Sequence, residues 1–215
     1  NPPKEVFCQR WPKSIGCAFT TAAKAKGVKP PSRRALRLLC DIAKSHTLAD
    51  APPANALVVH LRLGDVLDNW FYRTEENRRK RMLGCNWEGG CYYVNAMSHF
   101  TNISARLAPS IERIIILGNS KYRRLDPRTN YSEDYVARVI REFERAPGRR
   151  VPLRIERRTN GTVDDDFAYL SRAHTLAPSP GSGFSRAAQF CALSAGATAY
   201  TRRYHSPHEY SFCVS

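Results

Sequence analysis

The most constraining stretch of this sequence is Ala56 to Asp68, ALVVHLRLGDVLD, in which an apolar run passes directly into a His, an Arg, a Gly and an Asp. Leu57, Val58 and Val59 leave no side of a strand for water, and Pro52, Pro53 and Gly64 bracket the run. That is the pattern of a parallel strand buried on both faces. Ligands of open α/β sheets bind beyond the carboxyl ends of such strands, so the polar end of this run is where chemistry is expected. His60 and Arg62 are two apart and share one face of an extended chain, while Gly64 lets the backbone turn or approach a ligand closely. The guanidinium of Arg62 offers parallel donors that suit a phosphate and that a Lys does not reproduce. The same string also suits a plain Arg62–Asp65 ion pair at a strand end, and nothing inside it decides between the two.

Helical and extended patterns alternate along the rest of the chain. Ser32 caps a helix after Pro30 and Pro31, with Ala35, Leu38, Leu39, Ile42 and Ala43 as its expected core stripe. A helix over Tyr92 to Leu107 presents Val94, Met97, Phe100 and Ile103 or Ser104. Arg113 to Gly118 reads as a second buried strand. Asp134 to Arg145 reads as a helix stopped by Pro147 and Gly148, and Val151 to Ile155 as a third strand. An acid-started helix over Asp164 to Ala173 precedes a strand at His174 to Ala177. A helix from about Ser182 to Ala195, closed by Gly196, leads to a last strand at Ala197 to Thr201. The order predicts an α/β fold, a Rossmann-like parallel sheet with right-handed crossovers and helices on both faces. Residues 1–55 read as an irregular segment plus one helix, and 56–215 as the sheet domain. The chain contains no GxGxxG, no Walker loop and no internal repeat.

Charge narrows the partners. The 34 Lys and Arg against 19 Asp and Glu leave +15, which suits an acidic partner: nucleic acid, an anionic surface, a glycan or a nucleotide diphosphate. The basic residues are scattered, and the one dense run, Arg78 to Arg81, has no aromatic RNA-binding signature, Cys/His finger or helix-turn-helix around it. Nucleic acid is therefore not expected, and no run is long and apolar enough to span a bilayer. Residues 69–90 form a long polar insertion carrying Trp70, Phe71, Tyr72 and Trp87, either a functional loop that docks a protein partner or an excursion packed on the domain. The seven cysteines lack zinc-ligand spacing. Cys8 with Cys17 and Cys85 with Cys91 are the expected disulfides, and Cys40 and Cys191, on apolar helix faces, read as buried free thiols. Sequons at Asn102, Asn130 and Asn160 lean with the disulfides towards a secretory lumen or secretion. The N-terminus NPPKEVF has neither Met nor an apolar signal core.

A second constellation lies at Asp166 to Arg186, DFAYLSRAHTLAPSPGSGFSR, where a Ser/Gly turn feeds a helix start. Backbone N–H groups and the positive dipole end of that helix make an anion seat. Ser182 or Ser185 is placed to cap the helix or donate to a phosphate, and Arg186 lies in the first turn. An ordinary N-cap with a salt-bridged Arg would look the same.

Together the two stretches resemble a known family. HLRLGD at 60–65 is similar to the H-x-R motif of the fucosyltransferase superfamily that includes the α1,2-, α1,6- and protein O-fucosyltransferases. Asp166 to Arg186 resembles the later motif of the α1,6 enzymes in its Asp, its Leu-Ser-x-Ala step, its Ser turn and its Arg. The resemblance covers about Leu57 to Ala199 and implies a single donor-binding half of a GT-B-type glycosyltransferase. It implies that Arg62 contacts the β-phosphate of GDP-fucose with His60 and Gly64 beside it, that Asp166 accepts from the guanine edge, and that Ser182 and the adjoining backbone at Gly183 hold the diphosphate with support from Arg186. It further implies sugar transfer with inversion to a glycan or protein acceptor, without a metal. Leu63 stands where the α1,2 and α1,6 enzymes commonly carry a second Arg, closer to the protein O-type pattern. Asp65 and Asp68 are the carboxylates near the site, each either chemical or a structural partner of Arg62. The chain is too short for a full acceptor domain beside the donor half, so the competing expectation is a non-catalytic subunit of a larger assembly.

Overall fold

In a computed structural model, described over residues 33–64, 67–68, 94–121, 130–146, 152–159, 161–180 and 182–201, the elements run α1 (Arg33–Ser45), β1 (Ala56–His60), α2 (Met97–Arg106), β2 (Arg113–Leu117), α3 (Tyr131–Glu144), β3 (Arg154–Arg158), α4 (Val163–Ser171), β4 (Thr175–Ala177), α5 (Gly183–Ser194) and β5 (Thr198–Ala199). The five strands form one parallel sheet in the order β3-β2-β1-β4-β5. The expected α/β, Rossmann-like architecture is therefore present. β1 is central and buried at every residue, as its unbroken apolar run requires.

Strand alternation divides the core in two. Ala56 and Val58 of β1 face α1, α4 and α5, meeting Leu39, Phe167, Tyr169, Ala187 and Ala188. Leu57 and Val59 face α2 and α3, meeting Phe100, Ile103, Val136 and Phe143. Phe100 lies edge-on to both Tyr135 and Phe143, a geometry that aromatic quadrupoles favour. Helices thus cover both faces, and α1, although upstream of β1, belongs to the same core.

Five expectations are corrected, one of them being that α2 begins at Met97 and not at Tyr92, so that Val94 precedes the helix. Cys40 and Cys191 are not free thiols: they form a disulfide joining α1 to α5 across 151 residues of sequence. Two buried cysteines on apolar helix faces read the same from sequence whether or not the helices meet, and here they do. Consequently α1 turns Leu36, Leu39, Cys40 and Ala43 inward, while Ala35 is exposed and Leu38 is 62% exposed. β3 lies at Arg154–Arg158 instead of Val151 to Ile155. It is an edge strand whose register on β2 brings Glu156 to Arg113 at 2.7 Å, and its charges protect the open edge. α3 begins at Tyr131, three residues before the expected Asp134, because Ser132 is buried against the segment that follows β1. Cys8, Cys17, Cys85, Cys91, Asn160, Asp65, Arg78 to Arg81 and the 69–90 insertion lie outside the described residues. Among the described residues, no helix is long and apolar enough to cross a membrane.

Candidate functional site

The chain leaving β1 crosses to the α2 side of the sheet, whereas the chain leaving the adjacent β4 turns into α5 on the other side. Adjacent strands whose connections diverge in this way open a crevice beyond their carboxyl ends, the customary ligand position in doubly wound sheets. His60 ends β1, and Leu61 continues its pairing by donating to Leu117 O at 2.8 Å. Gly118 permits that approach, because a Cβ there would lie 2.6 Å from Leu61 O. Leu61 and Leu63 are buried on either side of a half-buried Arg62, so packing fixes the backbone that carries the guanidinium.

Three serines, at 179, 182 and 185, tie the two strand ends to α5. Arg62 N donates to Ser179 Oγ at 3.2 Å, and Ser179 N donates to Ser185 Oγ at 3.2 Å. Ser182 caps α5, its Oγ accepting from Ser185 N at 3.3 Å, which satisfies one of the orphan donors of the first turn. Ser185 Oγ lies 2.5 Å from His60 Nδ1. Phe184 flanks the imidazole with ring centres 5.2 Å apart and meets Phe167 of α4 at 5.4 Å. Burial, reinforced by the Arg62 charge, lowers the His60 pKa to about 3. His60 is therefore neutral, and positive potential in the crevice comes from Arg62 and the α5 N-terminus. Gly183 is the first residue of α5, and the exposed Arg186 lies in its first turn with its N–H on Ser182 O at 3.0 Å.

Beyond Arg62 the chain turns at Gly64, whose φ of 65° is the left-handed region that glycine enters without strain. Gly64 N donates to Ser132 Oγ at 2.8 Å. Ser132 donates in turn through its hydroxyl and its N–H to the buried Asp68 carboxylate. Asp68 is thus an anchor between the loop and the start of α3, each of its oxygens accepting one hydrogen bond from Ser132.

Asp166 arrives at the same end of the sheet on α4, which runs beside α5 and starts at a capping box made by Thr162 and Asp165. Asp165 bonds His46 at 2.8 Å, and this bond together with those from Thr162 lowers its pKa to about 2. Asp166 is placed differently. Its Oδ1 faces Arg158 Nε at 3.9 Å, and both atoms are buried without a hydrogen bond. Desolvation, opposed by Arg158 and assisted by Asp165, raises its pKa to about 6. A side chain at Gly161 would collide with Asp166 Oδ1 at 2.4 Å. Arg158 bonds Asp50 at 2.5 Å and lies over the Tyr169 ring at 4.3 Å, beside a cleft of about 530 Å³ that Arg113 and Glu156 also line.

The structure therefore gathers His60, Arg62, Ser182, Gly183 and Arg186 around one crevice, with Gly64 braced behind it. Asp166 is not brought into that group: its neighbours Arg158 and Gly161 lie at and beyond the end of the edge strand β3, and it is the next residue, Phe167, that reaches towards His60 through Phe184. Sequence reading did not single out Ser179, Phe184 or Ser132. The spacing of Ser179, Ser182 and Ser185, each three apart around a strand-to-helix turn, was the available signal for the first. Comparison of the chain with protein-family models, with curated proteins and with solved structures finds no match.

Proposed function

We propose that this chain carries the donor-binding half of a GT-B-type, metal-independent glycosyltransferase resembling the fucosyltransferases, with GDP-fucose or a related nucleotide sugar as donor. The observation that carries the reading is the hydrogen-bonded chain Arg62–Ser179–Ser185–His60 at the β1/β4 switch point. It unites in one crevice the two sequence motifs on which the resemblance rests. The diphosphate lies between Arg62 and the capped start of α5 at Ser182 and Gly183, with Arg186 adding charge. In this reading the Asp166 carboxylate, whose side chain keeps 20% exposure, accepts from base N–H donors, which guanine has along its Watson–Crick edge.

In transfer with inversion, an acceptor hydroxyl of a glycan or protein attacks the anomeric carbon as the bond to the β-phosphate oxygen breaks. Negative charge then grows on the departing diphosphate. A fixed Arg62 and the dipole of α5 stabilise that charge more strongly in the transition state than in the ground state. Asp65, three residues beyond Arg62 in the sequence, is the carboxylate to which this reading gives a catalytic role. The Cys40–Cys191 disulfide suits an oxidising compartment, and the reading takes this to be the secretory lumen or the extracellular space.

Titration calorimetry tests the reading. GDP should bind the folded protein more tightly than UDP, and Arg62→Ala should weaken GDP by about 1.5–3 kcal/mol, the contribution of a charge-assisted hydrogen bond. No heat with millimolar GDP would refute a donor site. GDP binding without turnover of GDP-fucose, on glycan or protein acceptors, would favour the alternative of a non-catalytic subunit.

A further inference from the structure

We infer that Ser185 is a positioning residue that holds the His60 imidazole in its Nε2–H tautomer, so that β1 offers the crevice a neutral N–H donor beside the Arg62 cation. The argument is a count of hydrogens around one buried oxygen. Ser185 is 0% exposed, and its Oγ has two partners, Ser179 N at 3.2 Å and His60 Nδ1 at 2.5 Å. A backbone N–H can only donate, so Ser179 occupies a lone pair of the hydroxyl. Were Nδ1 protonated, it too would donate, and the hydroxyl hydrogen would be buried with no acceptor, a costly arrangement. The hydroxyl therefore donates to Nδ1, and the ring proton sits on Nε2.

The far side of the ring supports this assignment. His60 retains 9% exposure, and Nε2 is not among the buried polar atoms left without a partner. With Nδ1 sealed by Ser185, Nε2 is the nitrogen that reaches the crevice. Phe184 flanks the ring at an interplanar angle of 34° and limits its rotation. The neutral state inferred from burial and from the Arg62 charge fits a ring that accepts at Nδ1. Because Ser179 Oγ also holds the Arg62 backbone, one serine network sets both the proton position on His60 and the seat of Arg62. In the donor-site reading, on which this deepening rests, the Nε2–H meets an acceptor atom of the nucleotide.

Imidazole ¹⁵N NMR of histidine-labelled protein tests this without any ligand. His60 is assigned by loss of its signals in His60→Gln. The expected pattern is a pyridine-type Nδ1 and a pyrrole-type Nε2 in the wild type, retained in Ser179→Ala and replaced by a tautomer mixture in Ser185→Ala. A pyrrole-type Nδ1 in the wild type overturns the inference whatever the variants do. Calorimetry then separates the two claims. In Ser185→Ala, GDP affinity should fall roughly five- to tenfold, the scale of one neutral hydrogen bond. Nε2–H in a protein that binds no GDP would leave the tautomer assignment standing and sink the donor site. GDP binding with Nδ1–H would do the reverse.

Discussion

Replacing Asp166 with Asn should make the protein more stable, and only at neutral and alkaline pH. The carboxyl group titrates at about 6 in the folded chain against 3.8 unperturbed, so the folded state holds the proton more tightly than the unfolded one. In such a case stability is highest below about pH 4, where both states are protonated. It declines as pH rises to about 6 and stays at the lower level above. At about 1.4 kcal/mol per tenfold in proton affinity, the displacement corresponds to about 3 kcal/mol as an upper bound. Asp166 keeps 20% of its side chain exposed and feels Arg158 at 3.9 Å, and the variant forgoes that attraction. The expected net gain is therefore about 1–2 kcal/mol. Urea titrations of both proteins at about pH 8 and about pH 4 read this directly as midpoint shifts at constant slope. The proteins should differ at the higher pH and coincide at the lower. A variant less stable than the wild type at both would mean that the folded chain pairs the carboxylate, and the argument from desolvation would fail. The same substitution should reduce the preference for GDP, and a gain in stability with a loss of binding is the usual signature of a strained site.

Other outcomes follow from individual contacts. Gly118→Ala drives a methyl group to 2.6 Å from Leu61 O. It should destabilise the fold by about 1–3 kcal/mol, an overpacking penalty, and weaken GDP more than Gly196→Ala, which meets no neighbour, is strained by its φ of 88° and lies at the far end of α5. Peptide mapping without reduction should recover Cys40 linked to Cys191. Cys40→Ala should lower stability by up to about 5 kcal/mol, the loop-entropy limit for a closure of this length; two free thiols in the native protein would refute the link.

The fold was legible where the sequence carries an all-or-nothing signal. β1 and β2 are apolar at nearly every position, a pattern that only an interior parallel strand satisfies, and both fall within a residue of expectation. β3 was misplaced because its apolar lead, Val151 to Leu153, precedes the residues that pair. Its true span RIERR has the composition of a solvent edge, recognisable only once β2 supplies the Arg113–Glu156 contact. The α1 stripe was rotated for a related reason. Leu36, Leu38 and Leu39 are all apolar, and a helix alone does not choose among them. A disulfide to a helix 151 residues away does.

The site was legible as residue types and illegible as connections. H-x-R after a buried strand and a serine turn before a helix each announce an anion seat, and each has a bland reading when taken separately. What brings the two stretches together is the strand order. Once β4 lies beside β1, Ser179 and Ser185 reach backward across more than a hundred residues of sequence to Arg62 and His60, a relation that no local periodicity encodes. The same step separates two acidic residues that looked alike. Asp68 is held through both its oxygens by Ser132, whereas Asp166 keeps one buried oxygen that has no hydrogen bond, 3.9 Å from Arg158, and a raised pKa. A protein that merely needed a stable sheet would gain by removing that second carboxylate. Its retention is what the proposed donor site would require, and the urea titrations of Asp166→Asn with GDP calorimetry beside them test that link.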